Sequence, residues 1–244
     1  MKGIILSGGS GTRLRPLTKV TSKQLLSVYN KPMIYYPLQT LLKAGIEEIL
    51  IIVAPDHAGE YLKLLGSGKE FGARFTYEIQ DKPEGLAQAF LIGEAFLQND
   101  SAVMILGDNI YQDDLSEEIR NFKSGAKIFA KEVSDPERFG VVWFDKQGRA
   151  TKIVEKPVNP DSNYCVTGLY VYDPRVVEIV KQLQPSPRGE LEITDVNKKY
   201  LEMGELEVGI VKGEWIDAGT FDSLLKATML AAKLEGVELD KVLL

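Results

Sequence analysis

Apolar residues along this chain fall into two regimes. In the first half, short unbroken runs rich in Ile, Leu and Val alternate with longer stretches whose apolar positions recur at helical spacing. Residues 2–7, 49–54 and 102–106 are runs of the first kind, and their β-branched character predicts strands buried on both faces. Residues 32–44, 56–65 and 86–97 predict helices between them. Pro32 suits a first helical position, Asp56 an N-cap, and Gly45 and Gly66 the C-terminal turns. Strand and helix in alternation predict right-handed βαβ crossovers and a largely parallel sheet.

After about Ala126 the texture changes to closely spaced strands at 127–133, 140–145, 151–155 and 164–172, with Gly148 marking a hairpin turn. Helices return at 174–183 and 190–203, then a strand at 206–211 and a last helix from about Phe221. No internal repeat, low-complexity tract or flexible linker interrupts the pattern. The expected fold is α/β: a Rossmann-like mixed, mainly parallel sheet flanked by helices, with a smaller mixed-sheet subdomain. Residues 1–244 are expected to form one domain, its core at about 1–125 and its closing part at about 126–244.

Composition narrows the function classes. The chain has 244 residues, 44% hydrophobic and 26% charged, which is ordinary for a globular protein with a full core. A net charge of −6 argues against a nucleic-acid surface, which needs a clustered positive field. No run approaches the length needed to span a bilayer, and the apolar start is too short for a signal peptide. The single cysteine, Cys165, has no partner for an internal disulfide. A cytoplasmic protein with a reduced thiol is therefore expected.

In open α/β sheets ligands bind beyond the carboxyl ends of the strands. Gly8-Gly9-Ser10-Gly11-Thr12-Arg13 follows the first strand, and Arg15, Lys19 and Lys23 follow it. Glycine lets backbone come close to a ligand, successive N–H groups make an anion-binding concavity, and Arg and Lys add phosphate-matched donors. The segment is neither a P-loop, which ends in Gly-Lys-Ser/Thr, nor a dinucleotide fingerprint, whose third glycine is replaced by Leu14. On the glycines alone a tight strand-to-helix turn is the competing reading. Gln80, Asp108 and Asn109 also follow strand runs, and Asp217 precedes a glycine turn. Either aspartate suits Mg²⁺, which takes one or two carboxylates with substrate phosphates; turn or N-cap roles compete. Glu155-Lys156-Pro157 ends a further strand, where Glu155 could bind sugar hydroxyls and Lys156 a phosphate monoester, or the two could form a surface ion pair. His57 reads as a solvated first-turn residue and Cys165 as a buried, inert thiol. No zinc spacing or nucleophile elbow is present, which points to chemistry by positioning and charge neutralisation.

Several segments together resemble the sugar-1-phosphate nucleotidylyltransferases. They are 6–14, Ser22-Lys23-Gln24-Leu25, 31–37, 85–89, Leu106-Gly107-Asp108-Asn109, 135–142, Glu155-Lys156-Pro157, 166–170, 188–195 and 215–220, in the family's order over essentially the whole chain. The resemblance is nearest to the branch that joins dTTP to α-D-glucose 1-phosphate, giving dTDP-glucose and pyrophosphate. It implies that Gly8, Gly9, Gly11, Thr12 and Arg13 hold the triphosphate, that Lys23 neutralises the reacting phosphate, and that Gln24, Gln80 and Gly85 surround the nucleoside. It also implies that Asn109, Gly140, Glu155, Lys156, Val166 and Tyr170 cradle the sugar phosphate, with Mg²⁺ on Asp108 and Asp217. Arg13, Lys23, Asp108 and Lys156 are the implied catalytic set, the second half is the implied sugar-binding part, and a homo-oligomer is implied. Ser7, Ser27 and Phe139 depart from the family's usual alanine, proline and tyrosine. Many relatives continue beyond the position of Leu244 with helices that shape a regulatory site. A UTP-using or broad-specificity enzyme and a non-catalytic nucleotide-sugar-binding module are the alternatives.

Overall fold

The buried runs of the first half become the centre of a single sheet. The computed structural model describes residues 1–239; the expected domain end at Leu244 lies outside the described residues. In chain order the strands are β1 (Lys2–Ser7), β2 (Ser27–Val28), β3 (Lys31–Pro32), β4 (Glu48–Val53), β5 (Arg74–Ile79), β6 (Ala102–Leu106) and β7 (Asn109–Tyr111). They continue with β8 (Ala126–Glu132), β9 (Gly140–Phe144), β10 (Ala150–Glu155), β11 (Tyr164–Tyr172), β12 (Leu206–Ile210) and β13 (Trp215–Asp217). The helices are α1 (Tyr35–Lys43), α2 (Ala58–Leu65), α3 (Gln88–Ile92), α4 (Glu94–Leu97), α5 (Ser116–Arg120), α6 (Val176–Lys181), α7 (Ile193–Glu202) and α8 (Phe221–Leu234).

Nine strands form the main sheet, in the order β10-β9-β11-β6-β1-β4-β5, with β8 branching from β11 and carrying β12. β1 pairs in parallel with β4 and β6, and β4 with β5, as the βαβ reading requires. β11 then runs antiparallel to both β6 and β8, welding the second half to the first. Alternate residues of the central strands feed two cores. Ile4, Leu50, Ile52 and Met104 pack with α3, α6 and α7, whereas Ile5, Ile51, Val53 and Ile105 pack with α1, α2 and α5. A third cluster, including Met33, Ile110 and Ala227, seats α8.

Some boundaries differ from the sequence expectation, each for a local reason. Pro32 lies in β3 rather than at a helix start, and α1 begins at Tyr35. Asp56 does not cap a helix through its side chain, because 55–57 form a 3₁₀ turn before α2. The helix expected at 86–97 breaks at Gly93, where a Cβ would lie 3.0 Å from Ala89 O and 3.1 Å from Leu50 Cδ2. The helix expected at 190–203 starts only at Ile193, since Glu190 and Glu192 are engaged by Arg188.

Candidate active site

The loop after β1 is shaped by what its glycines avoid. A Cβ on Gly8 would collide with Gln80 Oε1, and Gly11 has φ 60, with the Thr18 hydroxyl donating to its carbonyl at 2.7 Å. Gly9 has open space where its Cβ would be, so its absence of side chain leaves room for a ligand rather than for protein. Thr12 and Arg13 follow in a 3₁₀ turn exposed to solvent, with Leu14 anchoring it in the core.

Lys23 and Gln24 stand on a later 3₁₀ turn, Lys23–Leu25, which brings Lys23 to Asp108 beyond the end of β6. Lys23 forms a buried ion pair with Asp108. Burial disfavours both charges, but their mutual attraction outweighs it, holding the Asp108 carboxyl below its usual range and the Lys23 ammonium above. Gln24 is fixed at its oxygen by the Ser22 and Tyr61 hydroxyls, at 2.8 and 3.2 Å.

The β7–β13 ladder brings the second aspartate to the first. Asp217 stands opposite Asn109, and the Ala218 N–H donates to the Asp108 carbonyl at 2.9 Å. Asp217 Oδ1 is buried with no hydrogen-bond partner. Burial, and then repulsion from Asp108, push its carboxyl up to about 6. Arg13 points into the same spot: a Cβ on Gly219 would lie 2.8 Å from both Arg13 Nη2 and Asp217 Oδ1. An orphaned carboxylate oxygen beside a second carboxylate fits a hard cation.

Two cavities open on this charge centre. One, of about 210 Å³, is lined by Gly9, Lys23, Gln24, Gln80, Gly85 and Asp108. The other, of about 240 Å³, includes Asn109, Gly140, Glu155, Lys156, Val166 and Tyr170, with Asp217. Leu86, Leu106 and Glu190 are common to both, so the cavities are neighbours across a shared wall. All the residues expected around the nucleoside and sugar phosphate therefore line one or the other.

The second cavity owes its shape to β10 and β11. The register of β11 against β8 shifts between Val166 and Tyr170. In that gap Gly168 donates its N–H to Asn109 Oδ1 at 3.0 Å, so close that a Cβ would overlap the amide. Trp215 Nε1 donates to the same oxygen at 2.6 Å, and Asn109 Nδ2 donates to Asp108 Oδ1 at 3.0 Å. Much of the Asn109 amide is thus spent on holding the cavity floor. Glu155 accepts from Thr194 at 2.5 Å, while Lys156 has φ 42, a left-handed conformation rare outside glycine that turns the chain sharply at the strand end. Tyr170 is buried, and burial pushes its phenol well up.

Arg188 is a cavity residue that sequence reading did not single out. It donates to both Glu192 oxygens at 2.8 Å and comes within 3.4 Å of Glu155 and Glu190. Its signal was its place in the 188–195 segment that carries the resemblance, with no role attached to it. Phe139, in place of tyrosine, packs edge-on against Trp215 with ring centroids 5.4 Å apart. Ser7, in place of alanine, has a buried hydroxyl without a hydrogen-bond partner. His57 pairs with Glu60 at 3.2 Å, and burial drives the Cys165 thiol up to about 12, which keeps it unreactive.

Residues 2–233 match the family model described as nucleotidyl transferase. A glucose-1-phosphate thymidylyltransferase of Neisseria meningitidis serogroup A is 51% identical over 98% of this chain and 85% of its own length. One from Mycolicibacterium smegmatis is 51% identical over 96% of this chain and 83% of its own. Among solved structures, a Bacillus anthracis protein assigned as a glucose-1-phosphate thymidylyltransferase, in complex with sucrose, superposes with a TM-score of 0.90 at 50% identity, covering 95% of each chain. A UDP-glucose pyrophosphorylase complexed with UDP-glucose gives 0.82 at 25% identity, covering 95% of this chain and 98% of that one.

Proposed function

The chain belongs to the nucleotidyl transferase family, and from that premise we propose that it condenses dTTP with α-D-glucose 1-phosphate, forming dTDP-glucose and releasing pyrophosphate. The observation that carries this reading is the pair of adjoining cavities with Asp108 lining one and Asp217 the other. A phosphate oxygen of the sugar phosphate attacks the α-phosphorus in line, and the bond to pyrophosphate breaks on the opposite side. Such a reaction needs reactants held in line and their charge neutralised, and no covalent intermediate.

Gly8, Gly9, Gly11 and Thr12 receive the triphosphate, and Arg13 meets the charge that develops on departing pyrophosphate. Lys23 exchanges its carboxylate partner for the α-phosphate when nucleotide enters. Gln24, Gln80 and Gly85 hold the nucleoside. Gly140, Glu155, Val166 and Tyr170 cradle the hexose, the Asn109 amide holds the floor beneath it, and Lys156 neutralises the sugar phosphate. The resident cation is Mg²⁺ on Asp108 and Asp217, supported by the orphaned Asp217 Oδ1; when bound, it lowers the charge that repels an anionic nucleophile.

We read residues 1–244 as one domain, a reading supported by the sheet that runs through both halves. No nucleic-acid or membrane partner is proposed; no helix of the described residues is long and apolar enough to cross a membrane. Nucleoside triphosphate substrates support action in the cytoplasm. A homo-oligomer is supported by the exposed apolar stripe of Phe221, Leu225 and Met229 along α8.

The test is a coupled pyrophosphate-release assay with dTTP, glucose 1-phosphate and Mg²⁺, run beside UTP. Turnover with dTTP supports the reading. Nucleotide-sugar binding without pyrophosphate release would make the protein a binding module instead.

A further inference from the structure

The smaller cavity contains an amide whose orientation is dictated by two groups of unambiguous polarity. Gln80, only 4% exposed, donates from Nε2 to Gln88 Oε1 at 2.7 Å. Gln88 Oε1 also accepts from the Glu84 backbone N–H at 3.1 Å, and Gln88 Nε2 donates to Glu84 Oε2 at 2.8 Å. A backbone N–H can only donate and a carboxylate can only accept, so Gln88 has one permitted orientation, with its oxygen toward Gln80. Gln80 must therefore turn its nitrogen to Gln88. Its own oxygen is then left free of the relay, against Gly8, where any Cβ would collide with it, and Gln80 itself lines the cavity.

We propose that Gln88 and Glu84 are positioning residues that lock Gln80 as a hydrogen-bond acceptor, and so select nucleotides whose base presents a ring N–H. The inference rests on the nucleotidyl-transfer reading and specifies how that site chooses its base. Thymine and uracil carry such an N–H at N3 and guanine at N1, whereas cytosine N3 and adenine N1 are acceptors. Those last two would meet the Gln80 oxygen lone pair to lone pair, inside a site where an unpaired polar group is costly. The Glu84 charge reinforces the lock, because hydrogen-bonded amides in series polarise one another toward the terminal oxygen. Discrimination thus comes from a repulsive element, the acceptor that cannot flip.

The experiment compares calorimetric binding of dTTP and dCTP, each with Mg²⁺, to the wild-type protein, to Gln88→Met and to the exchange variant E84Q/Q88E. Methionine fills the half-buried Gln88 position without an acceptor, freeing Gln80 to flip. The exchange keeps an acceptor toward Gln80 and a donor behind it. The expected result is a wild-type preference for dTTP that falls about tenfold or more in Gln88→Met, chiefly through tighter dCTP binding, and returns in E84Q/Q88E. An unchanged preference, or equal weakening of both nucleotides, overturns the proposal and leaves the relay as a loop brace. If Gln88→Met does not fold, N3-methyl-dTTP tests the wild-type acceptor directly: weaker binding by about tenfold supports the lock, and equal affinity overturns it. Binding is read without turnover. A wild type that shows the preference but releases no pyrophosphate overturns the enzyme reading and leaves the lock standing; turnover with a preference indifferent to Gln88 does the reverse.

Discussion

Lys23, on a 3₁₀ turn in the segment after β1, and Asp108, just beyond β6, pair with side chains each 11% exposed. The pair is net neutral, and it keeps a cation and a carboxylate ready at a site that must accept a polyanion. Replacing Asp108 with Asn keeps the shape but removes the charge. Turnover is expected to fall by about a hundredfold or more while circular dichroism stays native. Steady-state kinetics check this, and unchanged kcat would refute the role of Asp108 at the reacting phosphate.

Gly85 and Leu191 join the two cavities mechanically. Leu191 donates to the Glu84 carbonyl at 2.7 Å and accepts from the Ala87 N–H at 3.1 Å. Between these bonds Gly85 has φ 107, and a Cβ there would overlap the Leu191 backbone. Gly85→Ala is expected to destabilise by about 1–3 kcal/mol and to raise KM for both nucleotide and sugar phosphate. A rise confined to the nucleotide would break the proposed link between the cavities.

The central strands were legible because β1, β4 and β6 are buried on both faces and therefore read as unbroken apolar runs. β5, before Gln80, was given no bounds for the opposite reason: it lies at the sheet edge, and Arg74 and Glu78 face solvent. The break at Gly93 within the expected 86–97 helix was not legible, since nothing in its sequence neighbours reveals that Leu50 lies against it. Site residues after buried strands, such as Asp108 after β6, could be found because the end of an unbroken apolar run announces itself. The roles of Arg188 and Gln88 could not be read, because each arises only when separate segments meet: Arg188 with Glu155, and Gln88 with Gln80.

Asp173 carries a stability prediction away from the site. Burial opposes its charge, but hydrogen bonds from Arg175, the Gly125 N–H and Tyr200 outweigh burial and hold its carboxyl below the usual range. A lowered folded-state value means that the stabilisation is complete above the unfolded value, near about 3.9, and is lost as pH falls through the lower folded value. Asp173→Asn is expected to cost about 2 kcal/mol at neutral pH and to flatten the acid limb of a Tm-against-pH curve. An acid limb that is unchanged in the variant would show that other carboxylates govern it.

Asp217 makes a prediction with two opposite signs. Its Oδ1 is buried without a partner, and Asp108 repels it, so in the absence of cation the carboxylate is a local cost to the fold. Asp217→Asn removes the charge at equal size and should raise the metal-free Tm, by about 1 kcal/mol of stability, as expected where a functional site stores a destabilising group. A cation that binds only the folded protein stabilises it by mass action, by about 2.7 kcal/mol at a hundred times its Kd. Mg²⁺ should therefore raise the wild-type Tm and leave that of Asp217→Asn nearly unmoved, although the variant starts higher. Differential scanning fluorimetry across a Mg²⁺ titration reads both effects without turnover. Equal Mg²⁺ shifts in the two proteins would remove Asp217 from the cation site, and a lower metal-free Tm in the variant would mean that its carboxylate is a structural asset.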